Sequence, residues 1–94
     1  MSSDPAGNPG TITVRVRFFA SARAAAGTER ETVELPSGST VADAVERLRS
    51  HHSAELDRVL RVASFLVDGV AVRDGATPLG ADVELDVLPP FAGG

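Results

Sequence analysis

STVADAVERLRSHH, Ser39 to His52, is the stretch on which the architecture turns. Ser39 or Thr40 can accept hydrogen bonds from the first free amides of a helix. Asp43, three residues after Thr40, approximates a capping box and favours the positive end of the helix dipole. Val41, Val45 and Leu48, with Ala44 beside them, make an i, i+4, i+7 stripe of about three turns. The next place on that stripe is His52, so the apolar face ends there. A helix at this point separates the strands before it from those after it, and a parallel strand pair needs such a crossover.

Working outward toward the N-terminus, RETVELPSG (Arg30 to Gly38) alternates Val33 and Leu35 with Thr32 and Glu34, then breaks at Pro36 to Gly38. It reads as a strand ending in a turn. Before it, ASARAAAG (Ala20 to Gly27) is rich in small helix formers and closes on glycine, which predicts one short helical turn or a tight loop. In TITVRVRFF (Thr11 to Phe19), Ile12, Val14, Val16 and Phe18 alternate with Thr13, Arg15, Arg17 and Phe19, the period of a strand with one buried face. Residues 1–10, rich in Gly, Pro and Ser without periodicity, read as a flexible leader.

Working outward toward the C-terminus, Leu56, Val59 and Leu60 suggest a second, weaker helical piece. Phe65 to Val67 and Val70 to Val72 flank Asp68-Gly69, the dipeptide favoured in a tight I′ hairpin turn. ATPLGAD (Ala76 to Asp82) reads as a loop. VELDVL (Val83 to Leu88) alternates again, Val83, Leu85 and Val87 facing one way. Two strands, a helix, a hairpin and a last strand predict an α+β layer pair: a mixed sheet with one main helix packed across one face.

Ninety-four residues at 43% hydrophobic suit one domain, able to bury roughly 60–65% of the surface its unfolded chain exposes. The expected division is a leader at 1–10, a folded domain at 11–88 and an extended tail at 89–94. No stretch approaches the ~20 apolar residues of a membrane span, and the N-terminus lacks a secretory signal, so a cytoplasmic location without membrane association is expected. The absence of cysteine excludes disulfides, thiolate zinc sites and side-chain persulfides. A net charge of −4 and a pI near 5.0 argue against a nucleic-acid partner, which calls for a basic footprint, and suit a basic protein partner better. All nine cationic residues are arginine. Without lysine the chain has no ε-amino group to accept an isopeptide bond.

Several features carry a plain structural reading. His51-His52 has no supporting metal-ligand spacing, and no metal site is expected; the pair reads as a surface cap at the helix C-terminus. Arg15 and Arg17 on the first strand and Glu84 and Asp86 on the last occupy outer faces. If those strands are neighbours they form cross-strand ion pairs of ~0.2–1 kcal/mol each. Contact with a partner protein is the functional alternative for the two arginines. Asp82 to Asp86 carries three acids without a calcium-loop pattern and reads as a solvated strand edge or face. No Ser-His-Asp set, phosphate-cradling glycine loop or pair of catalytic carboxylates is evident, which points away from a stand-alone catalyst.

Phe19 and Leu88 share the outer face with those charges, and two large apolar residues there suggest a docking surface. LPPFAGG (Leu88 to Gly94) follows directly. Pro89 and Pro90 favour a stiff, extended exit, while Gly93 and Gly94 lack a Cβ and suit a slot too narrow for side chains. Six residues from Pro89 reach ~20 Å, enough to place a terminal carbonyl inside another protein's active site. Phe91 is the expected anchor in a partner pocket.

Together, RFFASARAAAGTE, PSGSTVADAVERLR, VDGVAVRDG and VELDVLPPFAGG resemble the small subunits of molybdopterin synthase, a family of ubiquitin-like sulfur carriers, over residues 12–94. The resemblance implies a ubiquitin-like β-grasp fold with the first and last strands parallel and adjacent at the sheet centre. It implies that Gly94 is adenylated by a ubiquitin-activating-like adenylyltransferase using ATP. A sulfur donor protein then converts the adenylate to a thiocarboxylate. The molybdopterin synthase large subunit uses that sulfur on a cyclic pyranopterin to build the dithiolene of molybdenum cofactor. The chain itself would bind no cofactor. Gly93, Ala92, Phe91, Pro90, Leu88 and Phe19 are the expected partner-binding residues. Phe91 is bulkier than the aliphatic residue expected at its position. A carrier for cysteine or thiamine biosynthesis and a ubiquitin-like protein modifier are the alternatives.

Overall fold

The computed structural model describes residues 10–90. Strand β1 (Thr11–Phe18) is followed by helix α1 (Ala20–Ala26), β2 (Arg30–Pro36), α2 (Val41–His51), α3 (Ala54–Val62), β3 (Ser64–Val67), β4 (Val70–Ala71) and β5 (Asp82–Leu88). The five strands form one sheet in the order β2-β1-β5-β3-β4. β1 and β5 pair in parallel at its centre, from Thr13 opposite Asp82 to Phe18 opposite Val87. The β1–β2, β3–β4 and β3–β5 pairs are antiparallel. First and last strands thus meet as the sequence resemblance implies.

Alternation in the strands does what the period-2 pattern requires. Ile12, Val14, Val16 and Phe18 of β1, Val33 and Leu35 of β2, and Val83, Leu85 and Val87 of β5 are all buried on one face. Helix α2 covers that face with Val41, Ala44 and Leu48, and α3 adds Leu56 and Leu60. The buried stripe of α2 therefore runs i, i+3, i+7 through Ala44, and Val45 is only half-buried. Ala44 is small enough to bring the helix close to the sheet; the bulkier Val45 is left at the margin.

Both ends of α2 are specified locally. The Thr40 side chain accepts from the Asp43 amide at 3.3 Å, and Asp43 Oδ2 accepts from the Thr40 amide at 2.9 Å, a complete capping box. Two further amides of the first turn, Val41 and Ala42, donate to Thr77 and Gly75 in the loop between β4 and β5. That loop is consequently stitched to the helix, and Leu79 enters the core. Asp57 of α3 accepts from both Arg49 of α2 and Arg61 of its own helix, tying the two helices together.

Three expectations need correction. Residues 20–26 form a full seven-residue helix rather than one turn or a tight loop, closed by Gly27 at φ 79° whose N–H donates to Arg23 O at 2.9 Å. Burial of Ala22 against the core explains the extra length. His52 is not a surface cap: it leaves the helix in extended conformation and turns inward. Its Nε2 lies 2.6 Å from Glu31 Oε1, and its ring sits edge-on to Phe18 at 5.9 Å. The apolar face of α2 ends at His52 as expected, but the imidazole closes the gap between the helix end and β2. Finally, β5 is an interior strand and Asp86 is 5% exposed, so the 82–86 segment is not uniformly solvated.

The Asp68-Gly69 turn has φ of 48° and 83°, the double positive φ of a I′ turn. Asp68 also binds β5 through its backbone and side chain: its N–H donates to Glu84 O, and its Oδ1 accepts from Glu84 N–H, each at 2.9 Å. No helix among the described residues is long and apolar enough to cross a membrane.

Candidate functional site

The parallel pairing of β1 and β5 delivers two chain segments to the same end of the sheet. The Phe19 N–H donates to Val87 O at 3.2 Å, carrying the pairing one residue past β1. By the alternation of both strands Phe19 and Leu88 fall on the outer face, and each is half-buried. Pro89 is buried, Pro90 is exposed. Phe91, Ala92, Gly93 and Gly94 lie outside the described residues. Of the expected partner-binding set, the structure therefore places Phe19 and Leu88 at the ends of neighbouring strands, next to Pro89 and Pro90.

A charged cluster supports Phe19 from below. Arg17 Nε and Nη2 donate to the two carboxylate oxygens of Asp86 at 2.8 and 2.9 Å, a fork-on-fork pair, with Glu84 3.4 Å away. The Asp86 hydrogen bonds hold the Arg17 proton more firmly than usual, outweighing the opposite effect of desolvation. The Arg17 guanidinium also lies 5.3 Å from the centroid of the Phe19 ring, within cation–π range. Arg15 stands opposite Glu84 in the register but bonds Asp82 instead, with both side chains largely exposed. The cross-strand ion pairs read from the sequence exist; the partner of Arg15 is shifted by two residues.

On the opposite, helical side, Val59 and Val62 of α3 and the two prolines line a groove of about 350 Å³. Val62 is 62% exposed there. The sequence reading passed over Val62 because it lies beyond the Leu56, Val59, Leu60 stripe. Among the described residues no three His, Asp or Glu side chains converge as metal ligands. His52 is engaged with Glu31 and Phe18. What this end of the molecule brings together is an aromatic ring within cation–π range of a paired arginine, a half-buried leucine on the neighbouring strand, and two successive prolines.

The strand order, the parallel central pair and the helices packed across one face define a ubiquitin-like β-grasp protein. The chain belongs to the ThiS family, whose model matches residues 16–94. It is 30% identical over 84 residues to the molybdopterin synthase sulfur carrier subunit of Chlamydomonas reinhardtii, covering 88% of this chain and all of that protein. Among solved structures it resembles a Pyrococcus furiosus protein assigned as molybdopterin converting factor, subunit 1. There the TM-score is 0.75 and the identity 27%, over 85% of this chain and 99% of the other. It also resembles small archaeal modifier protein 1 from Methanosarcina acetivorans, with TM-score 0.73 and 28% identity over 89% and 98% of the two chains.

Proposed function

We propose that this chain is the sulfur-carrier subunit of a molybdopterin synthase and that its reactive group is the Gly94 carboxyl. A free carboxylate is a poor electrophile. An adenylyltransferase resembling the ubiquitin-activating enzymes joins it to AMP from ATP, releasing pyrophosphate. A sulfur donor protein then displaces AMP to leave a thiocarboxylate. Inside the active site of the large synthase subunit, that sulfur passes to cyclic pyranopterin monophosphate during dithiolene formation. In this scheme the chain carries no cofactor and catalyses no step; it holds and aims an acyl group. Phe19 and Leu88 dock on the handling protein, while Pro90, Phe91, Ala92 and Gly93 thread the end into its site.

One observation carries the reading: the whole length of a molybdopterin synthase sulfur carrier subunit aligns with this chain, and the family match runs through Gly94. The placement of Phe19 and Leu88 at the ends of neighbouring strands, next to Pro89 and Pro90, supports it. Incubation with host extract, ATP and a sulfur source, followed by intact-mass measurement, tests it. The expected product has one oxygen replaced by sulfur at the C-terminus. Conjugates of this chain to lysines of other proteins would instead establish the modifier reading, which the likeness to the archaeal modifier favours. Co-purification with a large subunit that turns pyranopterin into dithiolene separates this pathway from carriers for cysteine or thiamine.

A further inference from the structure

The start of β2 carries an electrostatic cost that the fold does not explain. Arg17 and Arg30 stand directly opposite one another in the β1–β2 register, on the outer face of the sheet. Like charges so placed are destabilising. Arg17 is compensated by Asp86 on its other side, whereas among the described residues no carboxylate forms an ion pair with the Arg30 side chain. Arg23 of α1 adds a third guanidinium that no acid of the described residues neutralises. All three arginines, with Phe19 and the single acid Glu29, line one cleft of about 150 Å³. In a chain with thirteen acidic and nine basic residues, three of the nine converging on one small hollow is a local reversal of sign.

We infer that this cleft is an anion site filled by a carboxylate side chain of the protein that handles the tail. A cleft of about 150 Å³ is large enough to take a carboxylate. Planar guanidinium forks match a carboxylate in bidentate geometry, and the Phe19 ring walls one side so that the pair forms partly out of water. The arriving charge offsets Arg23 and Arg30, the two guanidinium groups of the cleft that no carboxylate of the described residues pairs with. The cleft sits at the end of β1, beside the Phe19–Leu88 surface. The identity of the visiting protein thus rests on the carrier reading, but anion binding itself does not.

The test uses the full chain and a short oligoglutamate peptide, acetylated and amidated so that only side-chain carboxylates are offered. Arginine Nε–H resonances are followed by NMR at constant ionic strength. The expected result is saturable shifts confined to Arg17, Arg23 and Arg30, with the Phe19 ring moving in step. In the Arg23→Gln/Arg30→Gln double variant, which leaves the Arg17–Asp86 pair in place, affinity falls at least tenfold. Arg73→Gln, on an exposed arginine outside the cleft, binds as the parent does. Equal shifts at all nine arginines, shifts that never saturate, or an unchanged affinity in the double variant would overturn the site. Inorganic phosphate binding there while the peptide does not would overturn the assignment of a carboxylate. Failure of the chain to acquire sulfur, with peptide binding intact, counts against the carrier reading and leaves the anion site standing.

Discussion

Asp86 shows how one residue can be right in type and wrong in setting. Alternation put it on the outer face, and outer faces are normally wet. Its burial arises because Arg17 lies across it and a strand flanks it on each side, facts that depend on strand order. The consequence is an asymmetry between two acids of the same strand. Asp86→Asn is expected to lower the thermal midpoint clearly, because it leaves Arg17 without its bidentate partner. Asp82→Asn, at an exposed pair with Arg15, should change it little. Parallel melts of the two variants check this; equal effects would contradict it. The inward turn of His52 was illegible for a related reason. Its partners Glu31 and Phe18 are 21 and 34 residues distant in the chain, and no local pattern brings them together.

At the level of elements, the signals that proved readable are those with a short physical range. Thr40 and Asp43 are three residues apart, and the box they predict forms between those same two residues. Thr40→Ala should therefore cost about 1 kcal/mol, measured by chemical denaturation, and Thr40→Ser should restore most of it. The two positive φ values at Asp68-Gly69 were likewise implied by the dipeptide itself. Helix α1 was underestimated because seven alanine-rich residues have little intrinsic helicity, and packing of Ala22 supplies what propensity does not. Between α2 and α3, the Arg49 hydrogen bond, supported by Arg61, holds the Asp57 carboxyl below its ordinary 3.8. A depressed pKa contributes stability that is fully present above the unfolded value and is lost as pH falls through the folded one. The melting-point gap between the parent and Asp57→Asn should thus be steady near neutrality and close as pH drops below 3.8. A gap independent of pH across that window would show that the Arg49–Asp57–Arg61 cluster does not couple the helices.

For the whole molecule, the strand order could not be obtained from the periodicities, which allow several arrangements of the same elements. The family resemblance supplied only its central pair, and the parallel β1–β5 pairing matches what it implies; the places of the other three strands come from the structure. The candidate site was legible in part. Phe19 and Leu88 follow from alternation, while the arginine cleft required knowing that Arg30 lands opposite Arg17. Because the proposed chemistry is confined to the last acyl group, deleting Gly94 should abolish sulfur loading and leave the melting curve of the folded body unchanged. Loading of the shortened chain would remove the proposal at its root. Phe91→Ala should weaken binding to the handling protein by about 2 kcal/mol if the ring is the anchor, read as a dissociation constant.

The central pairing has a mechanical corollary. A load drawn along the axis of β5 from Pro89 acts lengthwise on its ladder with β1, so the cross-links from Thr13 to Phe18 share it simultaneously instead of opening one after another. Any pull transmitted through Pro89 is therefore resisted by the central ladder as a whole and not by its last rung alone.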